Sequence, residues 1–321
     1  MRSAAARSGE NQWGEPRDNV TITTAFIANR ACGAPYSGEV TSPAASASWN
    51  APFDGDLTDD LALALRLADA ADAVAMARFD AADLDVQVKA DATHVTEADL
   101  ATERAIRGIL STERPGDGVL GEEFGTSGDS ARQWIIDPID GTANYLKGIP
   151  MWTTLIALAI DGVPRVGVAS QPALGRRWWA ATGLGAWTNT PDGEPARLAV
   201  SGVTNLADAS VSFQSIAQWD EVGRSDDLLR LSRAVWRDRG YGDTWPYMLL
   251  AEGRLEFVAE FGVKEYDIAA LVPIVMEAGG RFTDIDGADS IASRSSLATN
   301  GALHEDFLAL LTTPSPTGPT R

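Results

Sequence analysis

A chain of 321 residues, 45% of them hydrophobic, is long enough to bury a large core as one domain or two closely joined subdomains. Its 45 acidic against 26 basic residues leave a net charge of −19, which disfavours nucleic acid and anionic membrane surfaces as partners, and its apolar runs stop short of the roughly 18 residues of a membrane helix. With one cysteine, Cys32, and two histidines, His94 and His304, zinc sites and histidine-based triads lack raw material, and oxygen-ligand chemistry remains.

Residues 1–56 are rich in Ala, Ser, Gly, Pro and Asn without a sustained apolar period, and read as a disordered, dispensable extension. Arg2, Arg7 and Arg17 occur there without an apolar stretch, so a secretory signal is not expected; a transit peptide or an over-long start is the alternative to the dispensable extension. The folded unit is expected over 57–311, with subdomains of about 57–200 and 201–311, before a disordered tail at 312–321.

Between Asp59 and Ala82, Leu63, Leu67, Ala70, Val74 and Ala77 recur at helical spacing behind an acidic first turn. A second helix should start at Thr96, with Asp99 at the return position of a capping box, continue through Ala105, Ile106, Ile109 and Leu110, and end at Pro115-Gly116. Strands are expected at Val119-Leu120, Trp134 to Ile136, Trp152 to Ile160, Arg165 to Ala169 and Arg177 to Ala181, with Asp161-Gly162 as a hairpin turn. The second half alternates helices at Asp226 to Arg237 and Thr244 to Glu252 with a strand at Leu255 to Glu260. A helix from Tyr266 to Ala278, stopped by Gly279-Gly280, and a strand at Arg281 to Asp284 follow. This is a mixed α/β chain of stacked sheets and helices, and it lacks the Gly-x-Gly-x-x-Gly turn of a dinucleotide fold.

The most informative run is Trp134-Ile135-Ile136-Asp137-Pro138-Ile139-Asp140-Gly141-Thr142, in which a buried strand delivers two carboxylates into a Pro- and Gly-shaped turn. Hard divalent cations such as Mg²⁺ take oxygen ligands and can clamp a phosphoryl group in line with an attacking water. Gly141 lets backbone approach an anion, and Thr142 adds a hydroxyl. Alone, Asp137-Pro138 reads equally as a strand-ending turn and Asp140-Gly141 as a helix entry. Glu122-Glu123 after another short strand, and Asp267 at a helix start, add carboxylates that are ordinary by themselves: solvated charge for the first, a helix cap for the second.

Taken together in order and spacing, Glu122-Glu123, Asp137 through Thr142, and Tyr266-Asp267 through Glu277-Ala-Gly-Gly280 resemble the inositol monophosphatase superfamily. The resemblance covers about Leu57 to Leu311 and implies a layered αβαβα sandwich. It implies two or three Mg²⁺ ions held by Glu122, Asp137, Asp140, Asp267 and the carbonyl of Ile139. Asp99 and Thr142 would orient or deprotonate water, and Gly141 and Thr142 would hold phosphate. It also implies that Lys89 lies near the metals, that Glu123 is a neighbour rather than a ligand, and that the chain is a cytoplasmic homodimer. Tyr266 stands where many relatives carry Trp.

Within that superfamily, the runs Arg114 to Gly125, Gln171 to Ala181 and Tyr241-Gly-Asp243 are similar to actinobacterial-type histidinol-phosphate phosphatases. A cationic substrate of that kind would call for acids and a ring, for which Asp243, Glu265 and Trp219 are candidates; Asp243 reads equally as a cap of the helix from Thr244. Inositol 1-phosphate and 3′-phosphoadenosine 5′-phosphate are rival substrates of the same site. A non-catalytic metal- or phosphate-binding regulator is a rival of another class, disfavoured because every ligand position is filled.

Overall fold

The computed structural model describes residues 48–88 and 94–312, so Cys32, Lys89, Asp91, the extension up to residue 47 and the tail beyond 312 lie outside the described residues. Helices α1 (Thr58–Arg78) and α2 (Glu97–Glu113) flank a short pairing of β1 (Val86–Val88) with β2 (His94–Thr96). Then come β3 (Gly118–Gly121), β4 (Gly125–Ser127), β5 (Arg132–Asp140), α3 (Thr142–Leu146), β6 (Thr153–Ile160), β7 (Val163–Gln171), β8 (Arg176–Ala181), β9 (Gly185–Asn189) and β10 (Pro195–Arg197). The remainder holds β11 (Ser210–Phe213), α4 (Ile216–Glu221), α5 (Ser225–Ala234), β12 (Arg237–Arg239), α6 (Trp245–Ala251) and β13 (Phe257–Phe261). It closes with α7 (Glu265–Ile268), α8 (Leu271–Glu277), β14 (Arg281–Thr283), β15 (Ser295–Thr299) and α9 (His304–Thr312).

An eight-stranded sheet runs β10-β9-β8-β7-β6-β5-β3-β4, and a five-stranded sheet runs β12-β11-β13-β15-β14. Alternation along the strands sends Trp134, Ile136, Ile156, Leu158, Val166 and Val168 to the face covered by α1 and α2. The residues between them, Ile135, Leu155, Ala157 and Ala169, meet α6, α8 and the inner face of the smaller sheet. The outer face of the smaller sheet packs Phe257, Ala259 and Leu297 against Trp219, Leu228, Leu231 and Phe307 of α4, α5 and α9. Helices, sheet, helices, sheet and helices therefore stack in the αβαβα order, because each sheet has two apolar faces to cover.

Several elements depart from the sequence expectation for identifiable reasons. The predicted helix from Tyr266 to Ala278 is two short helices, α7 and α8. Pro273 has no N–H to give the carbonyl of Ala269 and its ring crowds that turn. The helix expected to reach Arg237 stops at Ala234, since Trp236 and Arg237 turn their amides to the carbonyl of Ala209 and lead into β12. In α1 the buried row is Leu63, Ala64, Leu67, Ala68, Ala71 and Ala75, while Ala77 is exposed. Small side chains along that row let the helix lie close to the sheet. Packing also begins before Leu57: Trp49 is buried, its backbone N–H donates to Asp289 Oδ2 at 3.0 Å, and Arg165 reaches the carbonyl of Ala51 and the ring of Phe53.

A close backbone-to-backbone approach between layers occurs at Gly167 on β7, where a Cβ would stand 2.1 Å from the carbonyl oxygen of Ala270. Gly167→Ala must push α7 and α8 off the sheet, an overpacking cost of about 3 kcal/mol. Thermal denaturation should show Tm lowered by roughly 6–12 °C; an unchanged Tm would mean that the helices can retreat freely.

Candidate active site

The loops at one end of β5, β3 and β13 enclose a cleft of about 670 Å³ lined by Glu122, Asp137, Ile139, Asp140, Gly141, Thr142, Asp243, Lys264, Tyr266 and Asp267, among others. That volume suits a small ligand. A strict pleat would send Asp137 and Asp140, three residues apart, to opposite faces of the sheet. The register against β6 shifts instead: Asp137 faces Leu155 and Asp140 faces Thr153, so two residues of β5, Pro138 and Ile139, oppose Thr154 alone. This bulge, held by Thr154 Oγ1 donating to the Pro138 carbonyl at 2.8 Å, resets the alternation and brings both carboxylates to the cleft.

Asp137 is buried, and its Oδ1 accepts the Ile139 N–H at 3.0 Å. Burial above all, then the charges of Glu122, Asp140, Asp267 and Asp99, hold its pKa well above the ordinary carboxylate range. Asp140 is raised in the same way by burial and by Asp243, although Thr244 opposes this by donating both its N–H at 2.9 Å and its hydroxyl at 2.6 Å to Oδ2. Asp267, at the third position of α7, accepts the Lys264 N–H at 2.7 Å, and burial pushes it up to about 7. Glu122 leaves the end of β3 with its N–H on the Ile136 carbonyl at 3.1 Å, one residue from Asp137 across the parallel pair.

Among the described residues, no three His, Cys, Asp or Glu side chains are gathered tightly enough to hold a metal ion as they stand. The chemistry of the donors nonetheless fits a hard divalent cation. Glu122, Asp137, Asp140 and Asp267 share one cleft, all are oxygen donors, and three of them have pKa values raised by burial and mutual repulsion, which a cation would relieve.

Asp99 lies fully buried behind Thr142. The capping box expected at Thr96 is formed: the N–H and hydroxyl of Thr96 donate to Asp99 Oδ2 at 2.8 and 2.5 Å. The other oxygen, Oδ1, is 3.4 Å from the Thr142 hydroxyl, which is also 3.1 Å from the Ile139 carbonyl. One hydroxyl proton serves one acceptor at a time, so Thr142 keeps lone pairs for a water. Gly141 enters α3 at φ 84° and ψ 37°, a left-handed conformation suited to glycine, and the first amides of the helix have no intrahelical acceptor.

Two sequence candidates lie elsewhere. Trp219 does not face the cleft: it is fully buried on α4, edge-on to Phe261 at 5.0 Å, because the outer face of the smaller sheet needs a large apolar side chain there. Glu265, half-buried in the first turn of α7, is not among the lining residues. Asp243 is at the cleft and is not a helix cap; it holds φ 52°, accepts from Asn144 and Gln214 at 2.9 Å each, and has no capping bond to α6.

Residues the sequence reading missed include Glu260, Glu221 and Glu103. Glu260 sits near the end of apolar β13, beside a smaller recess of about 130 Å³ that it shares with Asp140, Asp243, Gln214 and Gln218. Its Oε2 accepts from Tyr247 at 3.1 Å while Oε1 is buried without a partner, and burial raises its pKa strongly. A carboxylate inside Phe257-Val-Ala-Glu260-Phe261 was the available signal. Glu221, at the end of α4, lines the main cleft.

The sequence profile of the inositol monophosphatase family matches residues 56–313. The chain is 52% identical over 260 residues to a histidinol-phosphatase of Streptomyces coelicolor, covering 80% of this chain and 98% of that protein. It is 51% identical over 254 residues to a histidinol-phosphatase of Mycobacterium tuberculosis, covering 79% and 98%. Among solved structures, an inositol monophosphatase from Zymomonas mobilis matches with a TM-score of 0.70 and 34% identity, over 81% of this chain and all of that one (100%).

Proposed function

Because the chain belongs to the inositol monophosphatase family, we propose that it is a Mg²⁺-dependent phosphomonoesterase that hydrolyses L-histidinol phosphate to L-histidinol and phosphate, as a cytoplasmic step of histidine biosynthesis. The observation that carries the substrate is identity above one half, over 98% of their length, with two histidinol-phosphatases.

In this reading Glu122, Asp137, Asp140, Asp267 and the Ile139 carbonyl hold two or three ions. When bound, Mg²⁺ supplies Lewis-acid stabilisation of the phosphoryl charge and lowers the pKa of water. The chain's own part is positional and basic. The first amides of α3, from Gly141 onward, receive phosphate oxygens. Thr142 orients the attacking water by its lone pairs; as Oγ1 takes the water's proton, the hydroxyl's own proton goes to Asp99 Oδ1, whose pKa is raised by burial and which is therefore a better acceptor than a solvated aspartate.

At the other end of the substrate, the acids Asp243 and Glu260 lie at the recess. A cationic amine or imidazole would satisfy the buried Glu260 oxygen and favour the ionised form of both acids that burial disfavours, whereas a neutral polyol offers no such charge. L-histidinol phosphate should be cleaved with kcat/KM about 100-fold above inositol 1-phosphate. Asp243→Asn should narrow that ratio about tenfold by weakening the cationic substrate alone. Phosphate release from both esters, with and without Mg²⁺, tests it; equal rates on the two would overturn the substrate while leaving the reaction class standing.

A further inference from the structure

The buried face of α2 is polar in its first half: Asp99, Thr102 and Glu103 are all shielded there. Asp99 faces Thr142, and Glu103 follows one turn later with its side chain completely buried. Glu103 Oε2 accepts the Glu123 N–H at 2.8 Å and Oε1 accepts the Phe124 N–H at 3.3 Å. Arg107, a turn further on, donates Nε to the same Oε1 at 2.7 Å and extends to the Ser127 hydroxyl at 2.9 Å and to the Gly125 carbonyl. The Glu103–Arg107 pair thus grips the β3–β4 turn across its length.

Gly121 is the other half of this contact. A Cβ there would stand 1.9 Å from Glu103 Oε1, so the bare backbone of Gly121 is what admits the carboxylate. Glu122 lies between the residue packed on Glu103 and the residue whose amide Glu103 holds. Its backbone is fixed on both sides by a side chain of the helix that also carries Asp99.

We infer that Glu103, paired with Arg107, is a positioning residue that sets the Glu122 carboxylate in register with Asp137 and Asp99 for cation binding. The inference rests on the reading of Glu122 as a metal ligand. Glu103 itself does not line the cleft, so its effect passes through the turn. Glu103→Gln keeps the size but presents an NH₂ donor to one of two backbone donors, and it leaves the Arg107 charge uncompensated. Outer-shell partners of this kind change metal affinity by about 10–100-fold.

The experiment is Mg²⁺ binding by titration calorimetry together with Mg²⁺-dependent turnover, on the full chain. Glu103→Gln should weaken Mg²⁺ binding and raise the half-saturating Mg²⁺ concentration at least about tenfold, while KM for the phosphate ester at saturating Mg²⁺ stays within about threefold of wild type. A folded variant with Mg²⁺ affinity within about twofold of wild type, whatever its Tm, would overturn the inference. Gly121→Ala should weaken Mg²⁺ binding in the wild-type background and add little on top of Glu103→Ala, since the clash needs the carboxylate; additive effects would count against the contact. If Glu103→Gln does not fold, Arg107→Ala carries the test, with a loss of about threefold or more expected and an unchanged affinity overturning the proposal. A wild-type chain that neither binds nor needs Mg²⁺ would instead sink the reading of Glu122 as a ligand.

Discussion

Asp137→Asn should lower kcat by about a thousandfold or more and leave the chain folded. The amide oxygen of Asn can still accept the Ile139 N–H that Asp137 accepts at 3.0 Å, so the bulge in β5 keeps its internal bond. What disappears is a negative charge facing Glu122, Asp140 and Asp267, the group around which the other carboxylates are arranged. Without a cation that charge is a liability, because it is buried and repelled by its neighbours. The variant should therefore melt no lower than wild type in chelator, while Mg²⁺ raises its Tm much less. Turnover at saturating Mg²⁺ and melting curves with and without the ion separate the two effects. A folded variant that turns over near the wild-type rate would remove Asp137 from the centre of the site.

Chelation should abolish activity and reverse the way stability depends on pH. Asp267 is pushed up to about 7, first by burial and then by Glu122 against the opposing Lys264 amide. A folded-state pKa above the unfolded value gives stability that is complete below the unfolded pKa of about 3.9 and is lost as pH rises through about 7. Raising pH from 6 to 8 in chelator should thus cost about 1.4 kcal/mol through this group, a fall in Tm of about 3–5 °C. Asp137, Asp140 and Glu260, raised in the same direction, steepen the loss. With excess Mg²⁺ the sign should invert, because ligands must be deprotonated to bind and binding releases protons, so the Tm increment from Mg²⁺ grows from pH 6 to 8. Calorimetric melting at three pH values with and without the ion measures both slopes. Parallel slopes would show that these carboxylates do not meet a cation.

The sequence by itself determined the starts of α1, α2, α5 and α6, the central strands and the run of the two aspartates. The Thr96 capping box, the Asp161-Gly162 hairpin and the strand from Trp134 rest on local rules: a hydroxyl three residues from an acid, a tight turn, and an apolar alternation. Glu122, Asp137, Asp140 and Asp267 were legible as carboxylates in the order of the family that the chain resembles, and in the proposed function they are ligands because a hard cation accepts only a few residue types. Tertiary structure decided what depends on partners distant in sequence. The bulge that turns Asp137 and Asp140 to one side exists only against Thr154 of β6. Trp219 is a core residue rather than a cleft ring because the smaller sheet has an outer face to cover. Glu260 and Glu103 looked like ordinary acids until burial left one oxygen of the first without a partner and put the second on the amides of the Glu122 turn. Local pattern reports which groups a segment can offer; the free energy of burying a charge is set by what the fold brings beside it.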